Sequence, residues 1–437
     1  MSQKVSLFWF RRDLRLEDNA GLWKALNSGV PVVPIFIFDP NILSKLEDKH
    51  DARVSFLHER LRELKAQLED LGSDLLVFYD KPLNVFESLC SQYEVIDLFF
   101  NRDYEPYARE RDKAVYEYLE TINVSCVGAK DHVIFEKNEV VKANGTPYLV
   151  YSPYAKAWKK HCTSDHFKAY PTQTYFNSFF QTDTKSSFIT LDAMGFESTS
   201  ITAPSPRISN DIISNYDRTR NFPGLKRGTT RLGIHLRFGT ISIRALARAS
   251  EGTNETFLNE LIWRDFFQMA LYNFPESRTK AIKPKYDLIP WSNNEDHFKA
   301  WCKGKTGYPI VDAGMRELNA TGFMHNRVRM IVASFLTKHL LIDWRWGEAY
   351  FAAKLLDFDL ASNIGGWQWA SGSGLDAAPY FRVFNPTSQM EKFDKDLSYV
   401  NKWVPELNTH LYPEPIVEHK WARERCLATY KEALSNA

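Results

Sequence analysis

"RVSFLHERLRELKAQLEDLG" (residues 53–72) stands between two short apolar runs, "VPVVPIFIF" (30–38) and "DLLVFY" (74–79). Its apolar residues Phe56, Leu57, Leu61, Leu64 and Leu68 recur at helical spacing, and Gly72 closes the pattern. The flanking runs are β-branched or aromatic, the composition of strands buried on both faces. "VSLFWF" (5–10) and "VIDLFF" (95–100) share that character. Alternation of this kind predicts an α/β domain over residues 1–130, a doubly wound parallel sheet with helices on both faces. No GxGxxG accompanies these strands, so a nicotinamide-type dinucleotide site is not indicated there.

Beyond residue 130 the pattern dissolves. Residues 131–205 read as an interdomain linker lying on the surface, with "TDTKSSFITLDAMGFESTSITAPSPRISN" (182–210) rich in Ser, Thr and Pro. From 206 to 437 strands vanish and helical periodicity takes over, predicting an all-α domain. "ETFLNELIWRDFFQMALYNFP" (255–275) and "HNRVRMIVASFLTKHLLIDW" (325–344) are its clearest helices, the first stopping at Pro275. There is no internal repeat.

A chain of 437 residues suggests two or three domains, and 44% hydrophobic with 25% charged residues is a soluble globular composition. No apolar run approaches a membrane span, and the charged start "MSQKVSLFWFRRDLRL" is unlike a signal peptide. The expected location is the cytoplasm, or the nucleus of a eukaryotic source. The five cysteines are scattered without metal spacing, so no metal is expected. Net charge is +1, yet residues 221–250 hold no acid while Lys226, Arg227, Arg231, Arg237, Arg244 and Arg248 fall inside them, a leaning towards phosphates. Nine of the twelve tryptophans follow Glu260, which divides the chain chemically.

Several helical positions carry chemistry. Glu260, Trp263 and Phe267 share one face, and a glutamate among aromatics is costly to bury without a hydrogen bond. Asn326, Arg329 and Met330 form a second stripe, an amide, a guanidinium and a thioether together. In "GTTRLGIHL" (228–236), Thr229 and Thr230 suit either a helix cap or an anion site. Asp357 and Asp359 could be helix-end carboxylates or a metal or glycosidase pair, though no histidine or further acid lies nearby in sequence. In "SNIGGWQWASGSG" (362–374), two tryptophans stand among residues with almost no side chain, which implies the close approach of something else.

Six blocks, "LFWFRRDLRLEDNAGL" (7–22), "NELIWRDFF" (259–267), "KTGYPIVDAGMRELNATGFMHNRVRM" (305–330), "DWRWGEAYF" (343–351), "NIGGWQWASGSGLDAAPYFRVFNP" (363–386) and "EKFD…YVNKWVPEL" (391–407), together resemble the photolyase/cryptochrome flavoproteins. The resemblance implies the photolyase/cryptochrome fold, an α/β domain joined by a long linker to an all-helical domain that encloses one non-covalent FAD. Glycines 365 and 366 would then let the backbone approach the flavin. Carried over position by position, Tyr216, Thr229, Thr230, Arg231, Leu232 and Gly233 surround the diphosphate. Asp357 and Asp359 lie near the ribityl and isoalloxazine end, Arg329 pairs with Asp357, and Asn363 sits at flavin N5. Gly233 stands where a serine is common in the family.

Within the family, Trp369 in "WQW", Asn326 in "MHNRVRM", Asn363 and the short tail all resemble the class I cyclobutane pyrimidine dimer photolyases. The implied activity is light-driven repair of dimers in DNA, electron transfer from excited reduced FAD to a flipped-out dimer. The alternative is a blue-light photoreceptor, a cryptochrome of DASH or another type, using the same flavin. For repair, Trp263 and Trp369 clamp the dimer, Glu260 and Asn326 bond the pyrimidine edges, and Met330 lines the apolar wall. Arg327, Arg382 and Gln389 reach the DNA backbone, and Trp367, Trp344 and Trp291 form the electron relay. Asn101 and Glu105 mark a place for an antenna pigment, with methenyltetrahydrofolate, an 8-hydroxy-deazaflavin or an empty site all open. The implied partner is dimer-bearing DNA, met as a monomer and without a membrane.

Overall fold

The computed structural model describes residues 3–435. The chain divides into two compact units that are interleaved in sequence. One comprises Met1–Glu136, Cys162–Arg207 and Leu232–Ala249; the other comprises Lys137–His161, Ile208–Arg231 and Ser250–Ala437.

The first unit is built on a five-stranded parallel sheet of β1 (Lys4–Phe10), β2 (Val32–Phe38), β3 (Leu76–Tyr79), β4 (Glu94–Asn101) and β5 (Ser125–Ala129). Their order is β3-β2-β1-β4-β5, with β1 registering Phe8 against both Pro34 and Phe99. All of β2, and all of β1 except Lys4, is buried, as an apolar run without alternation requires. The expected helix spans Ala52–Asp70, capped by the Asp51 carboxylate accepting from the Arg53 amide at 2.9 Å. Strand β5 was not legible in "SCVGA". It relies on Gly128, where a Cβ would lie 3.0 Å from the Phe100 ring.

Residues 131–205 are mostly exposed or half-buried, but parts of them are built into the two units. Val133, Ile134, Phe135 and Phe179 are core residues, and the Tyr151–His161 helix buries Trp158, whose Nε1 donates to Asp265 Oδ2 at 2.9 Å.

The second half of the basic stretch is engaged within the first unit. Arg244 bonds Asp131 at 2.7 Å and Asp18 at 2.8 Å, Arg15 bonds Asp131 at 2.7 Å, and Arg237 bonds Glu105 at 2.7 Å. Burial alone would raise the Asp131 pKa, but Arg15 and Arg244 hold it below the usual carboxylate range. Three of the six cations, with Arg248 against Asp18 at 3.6 Å, therefore neutralise buried or half-buried carboxylates instead of awaiting phosphates.

The second unit is helical. Its core gathers Trp301, Phe335, Trp344 and Trp367. The Glu255–Asn273 helix starts at the Asn254 cap and ends at its C-cap Phe274, immediately before Pro275. The Asn326–Ser334 helix does not run on as one α-helix but passes into a π-turn over Phe335–His339. The Leu360–Ser371 helix opens on the Asp359 cap and closes at Gly372, whose φ of 93° needs a residue without Cβ. Among the described residues no helix is long and apolar enough to cross a membrane.

Candidate cofactor and substrate site

Three helices of the second unit, Glu255–Asn273, Asn326–Ser334 and Leu360–Ser371, contribute to one cavity of about 400 Å³. That is within the usual range of small-molecule sites, roughly 300–1,000 Å³. Both stripes read from the sequence face it: Glu260, Trp263 and Phe267 from one helix, Asn326, Arg329 and Met330 from the next. Asp357, Asp359, Asn363, Trp367 and Trp369 complete the set. Trp367 and Trp369, two apart on a helix, point in different directions: Trp367 is 2% exposed in the core, whereas Trp369 is half-buried.

The polar groups are held in place. Arg329 Nη2 bonds Asp357 Oδ2 at 2.8 Å and Oδ1 at 3.0 Å, the pairing the resemblance implied. Asp359 caps its helix, accepting from Ser362 N at 3.1 Å, and takes the Gln268 amide at 3.1 Å. Asn363 donates to Glu348. Glu260 is ion-paired with Arg220. Burial pushes the Glu260 carboxyl up, and the Arg220 charge opposes that rise. His325 at the Asn326–Ser334 cap is pushed down to about 4 by burial and by Arg329, Arg231, Arg327 and Arg220 around it, a mark of the positive field there.

Other expected residues lie outside the cavity lining. Arg327 bonds Asn221 Oδ1 at 2.7 Å; Arg382 is exposed, its carbonyl accepting from Lys338 Nζ at 2.9 Å; Gln389 is half-buried on the Pro386–Phe393 helix. Tyr216 packs edge-on against Phe257 at 5.1 Å. Thr229 and Thr230 do not cap a helix, because the next one, Gly233–Phe238, has Leu232 at its cap. Arg231 is exposed and lies over the Phe323 ring at 4.4 Å. Leu232 and Gly233 belong to the first unit.

Of the relay positions, Trp344 is 1% exposed and Trp291 is half-buried against Tyr430 at 6.0 Å. The glycine pair divides. A Cβ at Gly365 would fall 2.3 Å from Phe267 Cδ1, so that glycine serves helix packing and not the approach of a ligand. One at Gly366 meets nothing within 4 Å and would project into open space at the cavity.

Asn101 is spent within the first unit: its amide donates to Asp13 and to Asn19 Oδ1 at 2.7 Å, and its oxygen accepts from Gly21 N at 2.9 Å. Glu105 accepts from Arg12 at 3.0 Å and Arg237 at 2.7 Å. Neither residue therefore supports an antenna pigment by its own geometry. Among the described residues there is no cluster of three or more His, Cys, Asp or Glu able to hold a metal, and Asp357 and Asp359 are committed to Arg329 and a helix cap.

Sequence reasoning missed Arg220, Glu348 and Tyr151. Arg220 stands four residues after Tyr216, and its guanidinium lies 5.5 Å from that ring. Tyr151 stacks on Trp263 at 3.7 Å and 4°, backing one face of the indole.

Two family models match the chain, the FAD binding domain of DNA photolyase over residues 257–411 and DNA photolyase over residues 6–173. A deoxyribodipyrimidine photo-lyase of Synechococcus sp. is 38% identical over 98% of this chain and 96% of its own length. A class III photolyase from Agrobacterium tumefaciens superimposes with a TM-score of 0.88 at 34% identity, covering 100% of this chain and 98% of that one. An archaeal photolyase from Sulfolobus tokodaii, solved with two FAD molecules, gives 0.86 at 34% identity over 98% and 100%. The matched FAD-binding region holds every residue of the cavity except Arg220, and with full-length relatives on both comparisons the chain belongs to the DNA photolyase family.

Proposed function

We propose that the protein repairs cyclobutane pyrimidine dimers in DNA with light, using one non-covalently bound FAD. The observation that carries this is the convergence of Glu260, Trp263, Asn326, Met330 and Trp369 on one cavity with Arg329, Asp357 and Asn363.

The residues present fit a flavin. Gly366 leaves backbone open at the cavity, Phe351, Leu355 and Trp367 give it apolar lining, and a fixed guanidinium–carboxylate pair supplies polar partners. Arg329, Asp357, Asp359 and Asn363 would hold the ring and ribityl, and Tyr216, Thr229, Thr230 and Arg231 are proposed for the diphosphate. When bound and fully reduced, FAD supplies the light-driven electron that splits the dimer.

The chain's own work is positional. A dimer inside a duplex must be flipped out, at a cost of a few kcal/mol that is least for a damaged base. Stacking returns about 1–3 kcal/mol per base, so Trp263 and Trp369 can decide the balance. Tyr151 stacked behind Trp263 backs one face of that indole and fixes its orientation. Glu260 and Asn326 bond the pyrimidine edges, Met330 fills the apolar wall, and Arg327, Arg382 and Gln389 take the DNA backbone. Trp367, which lines the cavity, Trp344 and the half-buried Trp291 are proposed for the electron relay. The protein acts as a monomer in the compartment that holds DNA.

The test is incubation of the reduced protein with dimer-bearing duplex under blue light. Intact thymines should return in the light and not in the dark. A long-lived lit state without any repair would favour the photoreceptor instead.

A further inference from the structure

Tyr151 is pinned at both ends. Its ring lies on the Trp263 indole at 3.7 Å and 4°, and its hydroxyl donates to the Asn259 carbonyl at 2.9 Å, one helical turn before Trp263. Its backbone amide donates to the Asp376 carboxylate. A second bond runs the other way, from the Asp376 amide to the Leu149 carbonyl at 3.1 Å. Asp376 thus clasps residues 149–151 with its side chain and its backbone together. Burial pushes its carboxyl up, and the Tyr151 amide and the Lys283 charge oppose that rise.

To reach both partners Asp376 holds a φ of 44°, a left-handed conformation that side chains seldom adopt, aspartate and asparagine more readily than most. Such strain persists only where the surroundings fix it. Here they are the loop 372–378, which follows the Leu360–Ser371 helix. Lys283 Nζ donates to the Gly372 carbonyl at 3.3 Å, and the Ala378 amide returns to the Trp369 carbonyl at 3.3 Å. One short loop therefore bonds the backbone of Trp369 and holds the support of Trp263, and both indoles line the cavity.

We propose that Asp376 is a positioning residue that couples the two aromatic platforms, holding Tyr151 against Trp263 from the loop that also bonds Trp369, so that their spacing is set before DNA arrives. This rests on Trp263 and Trp369 receiving the dimer. A platform free to change rotamer loses that freedom on binding, which weakens the complex; a clasped one has lost it already.

The test is a double-mutant cycle on the flavin-bound protein, read as affinity for a duplex carrying one thymine dimer and for the same duplex undamaged. Asp376→Gly removes the carboxylate and leaves a residue that takes the same φ freely. Its affinity for the dimer-bearing duplex should fall roughly three- to tenfold, part of what a whole stacking platform contributes. Affinity for the undamaged duplex and flavin absorbance should keep wild-type values. In a Trp263→Ala background the same substitution should change dimer affinity by less than about twofold, because the platform it acts on is gone. Asp376→Asn keeps an acceptor and tolerates the φ, so it should stay within about twofold of the wild type. Wild-type affinity in Asp376→Gly would overturn the proposal, as would an undiminished loss in the Trp263→Ala background. An asparagine variant as weak as the glycine one, or an equal loss on both duplexes, would overturn it too. If Asp376→Gly does not fold or loses flavin, Tyr151→Leu decides. It should show the same loss with the same dependence on Trp263, and wild-type dimer affinity there would overturn the proposal. Wild-type protein that binds both duplexes equally would refute the substrate reading itself, and the proposal with it.

Discussion

Glu260 offers a carboxylate to a wall otherwise made of Trp263, Phe267 and Trp369, and its charge is balanced by Arg220. Glu260→Ala removes the carboxylate proposed to bond the pyrimidine edge without touching the Arg329–Asp357 pair. A bond to a charged group contributes about 1.5–3 kcal/mol, so affinity for dimer-bearing DNA should fall tenfold or more. Flavin content, read from visible absorbance, should stay at the wild-type level. Loss of flavin together with affinity would remove Glu260 from the substrate side of the cavity. Trp263→Ala should weaken the same affinity by a similar factor, since it deletes one of the two proposed stacking platforms.

At the scale of elements, the adjacent glycines of the Leu360–Ser371 helix make opposite predictions. Gly365→Ala drives a methyl into the Phe267 ring, and overpacking of this kind costs about 1–3 kcal/mol. Gly366→Ala meets open space and gains helix propensity, about 0.5–1 kcal/mol, but places a methyl where the cofactor is proposed to approach. Thermal unfolding of the flavin-free proteins should separate the two variants, and flavin titration should rank them the other way, with Gly366→Ala binding more weakly.

The helix ending in the Phe335–His339 π-turn has its own signature in pH. His325 is pushed down to about 4 and His339 to about 3, both chiefly by burial, with His339 Nε2 set 2.9 Å from His419 Nδ1. The folded form refuses protons that the unfolded chain accepts near pH 6.5. The contribution to stability is therefore complete above about pH 6.5 and is lost as pH falls towards those depressed values. On the order of 2 kcal/mol per histidine should be gone by about pH 5. Urea midpoints at pH 7.5 and pH 5 check this, and His339→Asn should show a smaller drop than the wild type. Equal drops would contradict it.

For the whole molecule, what could be read from the sequence was what depends on local period. Four strands and the Ala52–Asp70 helix announce themselves because a buried run or a helical stripe is written in consecutive residues. Both cavity stripes were legible for the same reason. Strand β5 was not, since "SCVGA" is held by pairing, Val127 beside Phe99, more than by its own composition. Residues 133–135 pack from coil and Phe179 from an isolated bridge to Val32, neither of which has a period to detect. The arginines at 237, 244 and 248 looked free because their carboxylates at positions 18, 105 and 131 are more than a hundred residues away. Gly365 and Gly366 are indistinguishable on paper, and only helical phase sends one to Phe267 and the other to the cavity. Glu348 takes its meaning from an amide 15 residues on.

All of this presumes that a flavin and an extruded dimer share the cavity of the second unit. The most direct check is a crystal structure of the reduced protein with duplex DNA carrying one thymine dimer. The dimer should lie outside the helix stack, against Trp263 and Trp369 and within hydrogen-bond reach of Glu260 and Asn326, with the isoalloxazine beside Asn363. A dimer still stacked in its duplex, with flavin bound elsewhere or absent, would contradict the account.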